Sequence, residues 1–331
     1  MGSLSNLFRK GDAGKTGLPD PAPIVHCRPG RPEEIHIALR LILGSGGRPA
    51  DQQQLVDFLT FARLRNIDLS ELWVAERGGS IVWAVLPILS PGRTMLLFTP
   101  ADPPHASAHD AVPTIANAIC ERFSRRNVQL AQCLLDPGDD VSRRIFEGHG
   151  FTRMAELLYL HASIKRPLPP APLGPQWTIH HYSPQTHRLF ADAIVASYRQ
   201  SMDCPGLNGV RSLDDIIAGH KSSGDFDPEH WSVLCTRDAI SGQEIANGVL
   251  LLTRLPRGDA AELVYLGLAP EARGHGLGEW MMRQAFTTAA AMGVGRLSLA
   301  VDSTNSPALK LYYRFGMARM GSKVAMMRKL I

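Results

Sequence analysis

Arg273-Gly274-His275-Gly276-Leu277-Gly278 stands between two segments of different periodicity. Before it, Glu262–Leu268 is an apolar run of strand length. After it, Glu279–Phe286 has helical spacing. A chain that leaves a strand, turns through glycines and at once opens a helix can build an anion site. The first amides of a helix have no partner within it, and the helix dipole adds partial positive charge there. Glycine reaches positive φ without a side-chain penalty, so the turn also lets backbone approach a phosphate closely. The same residues would serve as a tight turn whose glycines only ease packing. The loop alone does not choose between the two.

Residues further on do. A second strand is expected at Arg296–Val301, running into Asp302, Asn305, Ala308, Tyr312 and Gly316. The pattern Arg-x-x-Gly-x-Gly after a strand, then Asn-x-x-Ala-x-x-x-Tyr-x-x-x-Gly after the next, resembles the GCN5-related N-acetyltransferase (GNAT) superfamily. The match covers roughly residues 259 to 330, with a weaker pattern back to about 176. The resemblance implies an α/β fold, a mixed central sheet flanked by helices. It also implies a loop, Arg273 to Gly278, that holds the pyrophosphate of acetyl-coenzyme A. The backbone of Leu268, Ala269 and Pro270 would take the pantetheine arm, and Asn305 would belong to the same cofactor site. His275 either touches phosphate or faces solvent.

Acetyl transfer to an amine requires a neutral nitrogen, a polarised thioester and a proton for the leaving thiolate. Glu262 is the candidate base. It sits in the apolar strand Ala260-Ala261-Glu262-Leu263-Val264-Tyr265, where burial would raise its pKa towards neutrality. Its alternative is a solvated glutamate at a strand edge. Tyr312 is the candidate acid, selected over Tyr313 by its spacing to Asn305 and Gly316. Its alternative is packing against the cofactor.

The rest of the chain reads as an earlier copy of the same unit. Residues 1–23 form a tail without periodicity, and the proline-rich stretch 166–175 is a semi-rigid linker between near-equal halves. The first half, 24–165, has expected strands at 24–27, 72–76, 81–89, 94–98 and 130–135 and helices at 32–43, 52–65, 112–123 and 141–147. The second half, 176–331, repeats that order, with helices expected at 186–202 and 213–221. Gly150-Phe151 matches Gly316-Met317 at an offset of 166 residues. At that offset Tyr312 falls on Phe146, Asn305 on Asp139, and the glycine loop on Ser107–Val112, which has no glycine and contains Asp110. The first half therefore reads as a GNAT-like domain without its cofactor loop. The tandem layout with one working half resembles mycothiol synthase.

Composition excludes more than it assigns. The chain has 331 residues, 44% hydrophobic and 20% charged, as expected of two globular domains. A net charge of +4 is too small to indicate nucleic acid. Five scattered cysteines without a Cys-x-x-Cys pair suggest neither a disulfide framework nor a metal site. No membrane span is expected, and a cytoplasmic location follows by default. The polar loop 198–211 covers the acceptor side in related folds. Tyr198, Asp203 and Cys204 are its candidate substrate residues, Asp203 for an ammonium and Cys204 as a nucleophile if its pKa is lowered. An ordinary helix-to-helix loop fits equally well. The expected function is transfer of acetyl from acetyl-coenzyme A to a small-molecule or peptide primary amine by direct attack. The alternative is a non-catalytic acyl-coenzyme A binding or sensing module.

Overall fold

A computed structural model describes residues 24–164, 172–207, 209–256 and 259–330. The tail over 1–23 and linker residues 166–171 lie outside these. The first half contains β1 (His26–Pro29), α1 (Ile35–Ile42), α2 (Gln52–Leu64), β2 (Trp73–Arg77), β3 (Ser80–Ser90), β4 (Thr94–Phe98), α3 (Ala111–Ser124), β5 (Leu130–Leu135), α4 (Asp140–Glu147) and β6 (Thr152–Ser163). The second contains β7 (Trp177–His181), α5 (His187–Tyr198), α6 (Leu213–Lys221), β8 (Trp231–Arg237), β9 (Glu244–Arg254), β10 (Ala260–Leu268), α7 (Leu277–Ala291), β11 (Arg296–Asp302), α8 (Ser306–Arg314) and β12 (Ala318–Lys329).

All twelve strands form one mixed sheet in the order β1-β2-β3-β4-β5-β12-β6-β11-β10-β9-β8-β7. The last strand of each half has crossed over. β6 pairs with β11 of the second half, and β12 pairs with β5 of the first. The two exchanged strands run antiparallel to each other at the centre, where Leu157 faces Lys323, the residue 166 positions on. The outer pairings obey the same symmetry: Leu130 faces Lys329, and Arg296 faces Ser163. A pseudo-twofold axis therefore passes through the middle of the sheet.

The cores are exchanged with the strands. Val324 and Met326 of β12 are buried with α3, Phe146 and Phe151 of the first half. Leu158, Leu160 and Ala162 of β6 are buried with α7 and Tyr312 of the second. Alternation along each strand sends these residues to the helix-covered face. A further clasp holds α6, which the first half grips at both ends. Arg93 pairs with Asp215 near its start. Arg65, just past α2, donates from Nη2 to the carbonyls of Ser222 (2.8 Å) and Ser223 (3.2 Å) at its end.

Two elements differ from the sequence expectation. Strand β6 lies in the first half beyond Gly150-Phe151, where the sequence reading placed no element; it falls 166 residues before the last strand, β12. Helix α5 was expected to reach Met202 but stops at Tyr198. Arg199 is extended and Gln200 has φ of 55°. The guanidinium of Arg273 takes the carbonyls of Ser197, Arg199 and Gln200 at 2.9–3.1 Å, which satisfies the helix end without another turn.

Candidate active site

The site begins with a fault in the sheet. β10 and β11 are parallel neighbours only from Ala260–Glu262 against Arg296–Ser298. Beyond that they part. On its other edge β10 carries a bulge at Val264, between Leu263 and Tyr265, where its pairing with β9 slips by one residue. A bulge bends and twists the strand that carries it, and here it turns β10 away from β11. The opening is a cleft of about 260 Å³ lined by Leu266, Gly267 and Leu268 of β10, Leu299 to Val301 of β11, and Asn305, Ala308 and Tyr312 of α8.

The glycine loop closes one end of this cleft. Gly274 and Gly276 have φ of 81° and 76°. Gly276 is the N-cap of α7, so no side chain caps the helix's first amides. Gly278 lies where a Cβ would come within 3.3 Å of Leu311, which lets α7 approach α8. Arg273 has a different part from the rest of the loop. Its Nε donates to the carbonyl of Leu268 at 3.0 Å, and its remaining bonds go to the end of α5. Its charge pins the loop to the scaffold and is not turned towards a phosphate. Ala269 is buried, with its N–H on Asn247, and Pro270 opens a short helical turn. No structural contact assigns a part to His275 beyond its place in the loop.

Tyr312 is 7% exposed. Burial, assisted by the charge of Asp203, pushes its phenol well above the ordinary value, so it stays protonated throughout the neutral range. Asn305 caps α8 by accepting from the N–H of Ala308, and it also bonds the Asp203 carboxyl. Asp203 accepts from the N–H of Asp302 (3.2 Å), and Asp302 accepts from the N–H of Cys204 (3.3 Å). Burial is the main cause of a raised Asp203 pKa. Cys204 is pushed up to about 12 by burial and by the carboxylates of Asp203 and Asp302. A thiol so placed stays protonated, the reverse of the condition for a nucleophile.

Glu262 lies on the other face of the sheet. Ala261 and Leu263 face α7, so alternation directs Glu262 away from it. It lines a separate groove with Tyr159, Ser298, Leu255 and Met320. Burial raises its pKa, and the positive charge of Arg65 partly opposes that rise. Glu262 in turn raises the pKa of Tyr159, after burial itself. Leu299 borders both the groove and the cleft.

The sequence candidates are thus divided. Leu268, Gly278, Asn305 and Tyr312 share the cleft with Asp203. Tyr198 packs edge-on to Tyr265 at 6.2 Å. None of Tyr198, Asp203 and Cys204 lines the groove of Glu262. What the sequence reading missed is the contribution of the first half: Tyr159 lines the groove of the second half's glutamate because β6 is exchanged, and the charge of Arg65, which bonds Ser222 just past α6, acts on that glutamate. Among the described residues no group could hold a metal ion, and no helix is long and apolar enough to cross a membrane.

A splayed parallel pair with a glycine loop at a helix N-terminus is the arrangement expected from the GNAT resemblance. Comparison with known proteins agrees. The Acetyltransferase (GNAT) family model matches residues 211–317. Mycothiol acetyltransferase of Acidothermus cellulolyticus is 26% identical over 224 residues, 63% of this chain and 64% of that protein. That of Jonesia denitrificans is 34% identical over 130 residues, 39% and 40% of the respective lengths. These matches therefore span less than two thirds of the relatives' own length. A GCN5-related N-acetyltransferase from Sphaerobacter thermophilus superposes with a TM-score of 0.60 at 17% identity, covering 95% of this chain and 97% of that one. A tandem GNAT protein from the clavulanic acid biosynthesis pathway does so at 0.50 and 14%, covering 93% and 99%. At such identities these two likenesses speak for the fold alone. Residues 211–317 therefore match the GNAT family model, and the chain as a whole has the tandem GNAT fold.

Proposed function

We propose that the second half, 176–331, transfers acetyl from acetyl-coenzyme A to a primary amine by direct attack in a ternary complex, and that the first half, 24–165, has no cofactor site of its own. The observation that carries this reading is that Leu299 lines both openings, the cleft that holds Tyr312 and the groove that holds Glu262. A thioester entering through the cleft and an amine entering through the groove would approach one another from opposite faces of the sheet.

The residues fit the co-substrate. The amides at the start of α7 and the open turn at Gly274 and Gly276 suit a pyrophosphate. The parted edges of β10 and β11 leave backbone free along the cleft for an extended amide-bearing arm. Glu262, its pKa raised by burial, takes the proton from the incoming ammonium. The freed nitrogen bonds to the thioester carbon as the carbon–sulfur bond breaks. Tyr312 gives its proton to the departing sulfur, and the proton shed by the new amide nitrogen restores the phenol.

Titration calorimetry with coenzyme A should give one site per chain. Release of free thiol from acetyl-coenzyme A should depend on an added amine. Two equivalent sites would overturn the assignment to the second half. Binding without amine-dependent thiol release from any of a broad amine panel would leave a binding module and no enzyme.

A further inference from the structure

A second hollow, lined by Phe61, Leu64, Arg65, Ser223 and Pro256, adjoins the groove at Glu262. Leu255 borders both. The residues that line the two hollows are mostly apolar. Three large apolar side chains among them, Phe61, Leu64 and Met320, are 40%, 52% and 62% exposed. Among the described lining residues only two are charged, Glu262 and Arg65. Glu262 has no hydrogen-bond partner among the described residues, although it is largely buried. Arg65 uses only Nη2, on the Ser222 and Ser223 carbonyls. Its Nε and Nη1 donate to no described residue, and guanidinium donors in a fixed fork suit a carboxylate. The two charges are close enough for Arg65 to depress the pKa of Glu262.

This arrangement specifies more than an amine. We infer that the acceptor is an apolar amino acid, a molecule with one primary amine, one carboxylate and a hydrocarbon or aromatic body. Its ammonium would lie at Glu262, its carboxylate at Arg65, and its body along Phe61, Leu64, Leu255 and Met320. The inference rests on the transferase reading above and adds the class of acceptor. A polyhydroxylated amine would bring hydroxyls to a surface with few partners for them. A diamine would set its second ammonium against Arg65. A simple alkylamine would leave the Arg65 charge uncompensated. The pocket is assembled from both halves, so the first half would choose the acceptor for a reaction carried out by the second.

Two measurements on the full chain test this. In the first, thiol release is followed with L-leucine, L-phenylalanine and 6-aminohexanoate, with isoamylamine and phenethylamine as their carboxylate-free counterparts, and with glucosamine and putrescine. At least one amino acid should exceed its carboxylate-free counterpart in kcat/KM by about tenfold or more, the scale of a lost charge-assisted hydrogen bond. The comparison is between substrates and needs no variant. In the second, binding of the same compounds to the coenzyme A-saturated protein is followed by calorimetry, with Arg65→Gln alongside and thermal unfolding as its check. Arg65→Gln should bring amino acids and amines to within about threefold of each other, with coenzyme A affinity unchanged. Amino acid binding that depends on Arg65 but yields no thiol would uphold this inference and sink the transferase reading. Turnover indifferent to the carboxylate, or best with glucosamine or putrescine, would sink this inference and uphold transfer. Failure of every amino acid to bind overturns it whatever the turnover.

Discussion

The two halves of the molecule share a register and differ beyond it. β4 and β5 pair at Thr94–Leu130, Met95–Ala131 and Leu96–Gln132, and β10 and β11 pair at the positions 166 residues later. Both pairs then part. In the second half β10 runs for nine residues and bulges at Val264. In the first, β4 ends after five, and its pairing with β3 is regular throughout. The loop that follows differs as well. Where Gly276 opens α7, Asp110 stands before α3 and is held by an ion pair with Arg77, whose other nitrogen bonds the Ser107 carbonyl. Where Tyr312 lines a cleft, Phe146 is 2% exposed and packed edge-on to Phe151 at 5.0 Å. Fold and site are separable: one bulge, two positive-φ glycines and one hydroxyl are present in the second half and have no counterpart at the matching positions of the first.

The largest effect is expected from cutting the comparison in two. A fragment beginning at Gln176 keeps β12 but loses β6, so β11 loses its neighbour on that side and α7 loses Leu158, Leu160 and Ala162 beneath it. Each buried leucine lost from a core costs about 2–5 kcal/mol, and an open strand edge invites pairing with another chain. The fragment should aggregate, or dimerise by strand exchange, when examined by gel filtration and circular dichroism. A folded monomer would mean that the exchanged strand is dispensable.

The next effect is loss of the cofactor. Gly276→Glu forces a side chain into positive φ, at about 1–2 kcal/mol, and sets a carboxylate at the helix N-terminus where an anion is to bind. It makes the second half resemble the first at Asp110. Coenzyme A affinity should fall by more than about tenfold by calorimetry, since 1.4 kcal/mol is already tenfold. An unchanged affinity would place the phosphates elsewhere.

Exchanging the two aromatic residues sharpens the contrast. Tyr312→Phe keeps the ring's packing and removes the proton, so turnover at saturating substrates should fall on the order of 10²-fold with coenzyme A affinity nearly unchanged. Phe146→Tyr should not create a second activity. It would place a hydroxyl in an apolar core without a partner, at about 1–3 kcal/mol, visible as a lower thermal midpoint with unaltered turnover.

The second half was legible in its sequence because its chemistry is local. The glycine loop, Asn305 and Tyr312 lie at fixed spacings within one strand–helix–strand–helix run, and Arg273, Gly278, Asn305 and Tyr312 line one cleft. Arg273 was legible as a position but not as a role, because its partners at Ser197, Arg199 and Gln200 lie more than seventy residues away. The groove at Glu262 was not legible. Tyr159 arrives on an exchanged strand, and Arg65 arrives at the end of a helix from the other half. Neither lies in a motif: strand exchange brings Tyr159 to the glutamate's groove, and Arg65 acts on the glutamate through its charge.

The smallest effect concerns that glutamate, and the first half supplies its control. Position 96 corresponds to 262 and holds leucine, in the same register against Gln132 as Glu262 against Ser298. Leucine does not titrate. Glu262 does, and burial raises its folded pKa above the unfolded value, with Arg65 opposing. A carboxyl whose folded pKa is raised binds its proton more tightly in the folded state. The folded state is favoured while the group is protonated, and this advantage is lost as pH rises from the ordinary glutamate range through the raised folded value. Glu262→Gln carries no such dependence. Its thermal midpoint should therefore gain on that of the unaltered protein as pH rises through that window, and the gain should level off above it. Arg65→Gln removes the opposing charge, so it should widen the window and move the acid limb of kcat/KM to higher pH. A midpoint difference that is flat across pH would mean that Glu262 is solvated in solution, and the base assigned to the second half would then have no more tuning than a surface carboxylate.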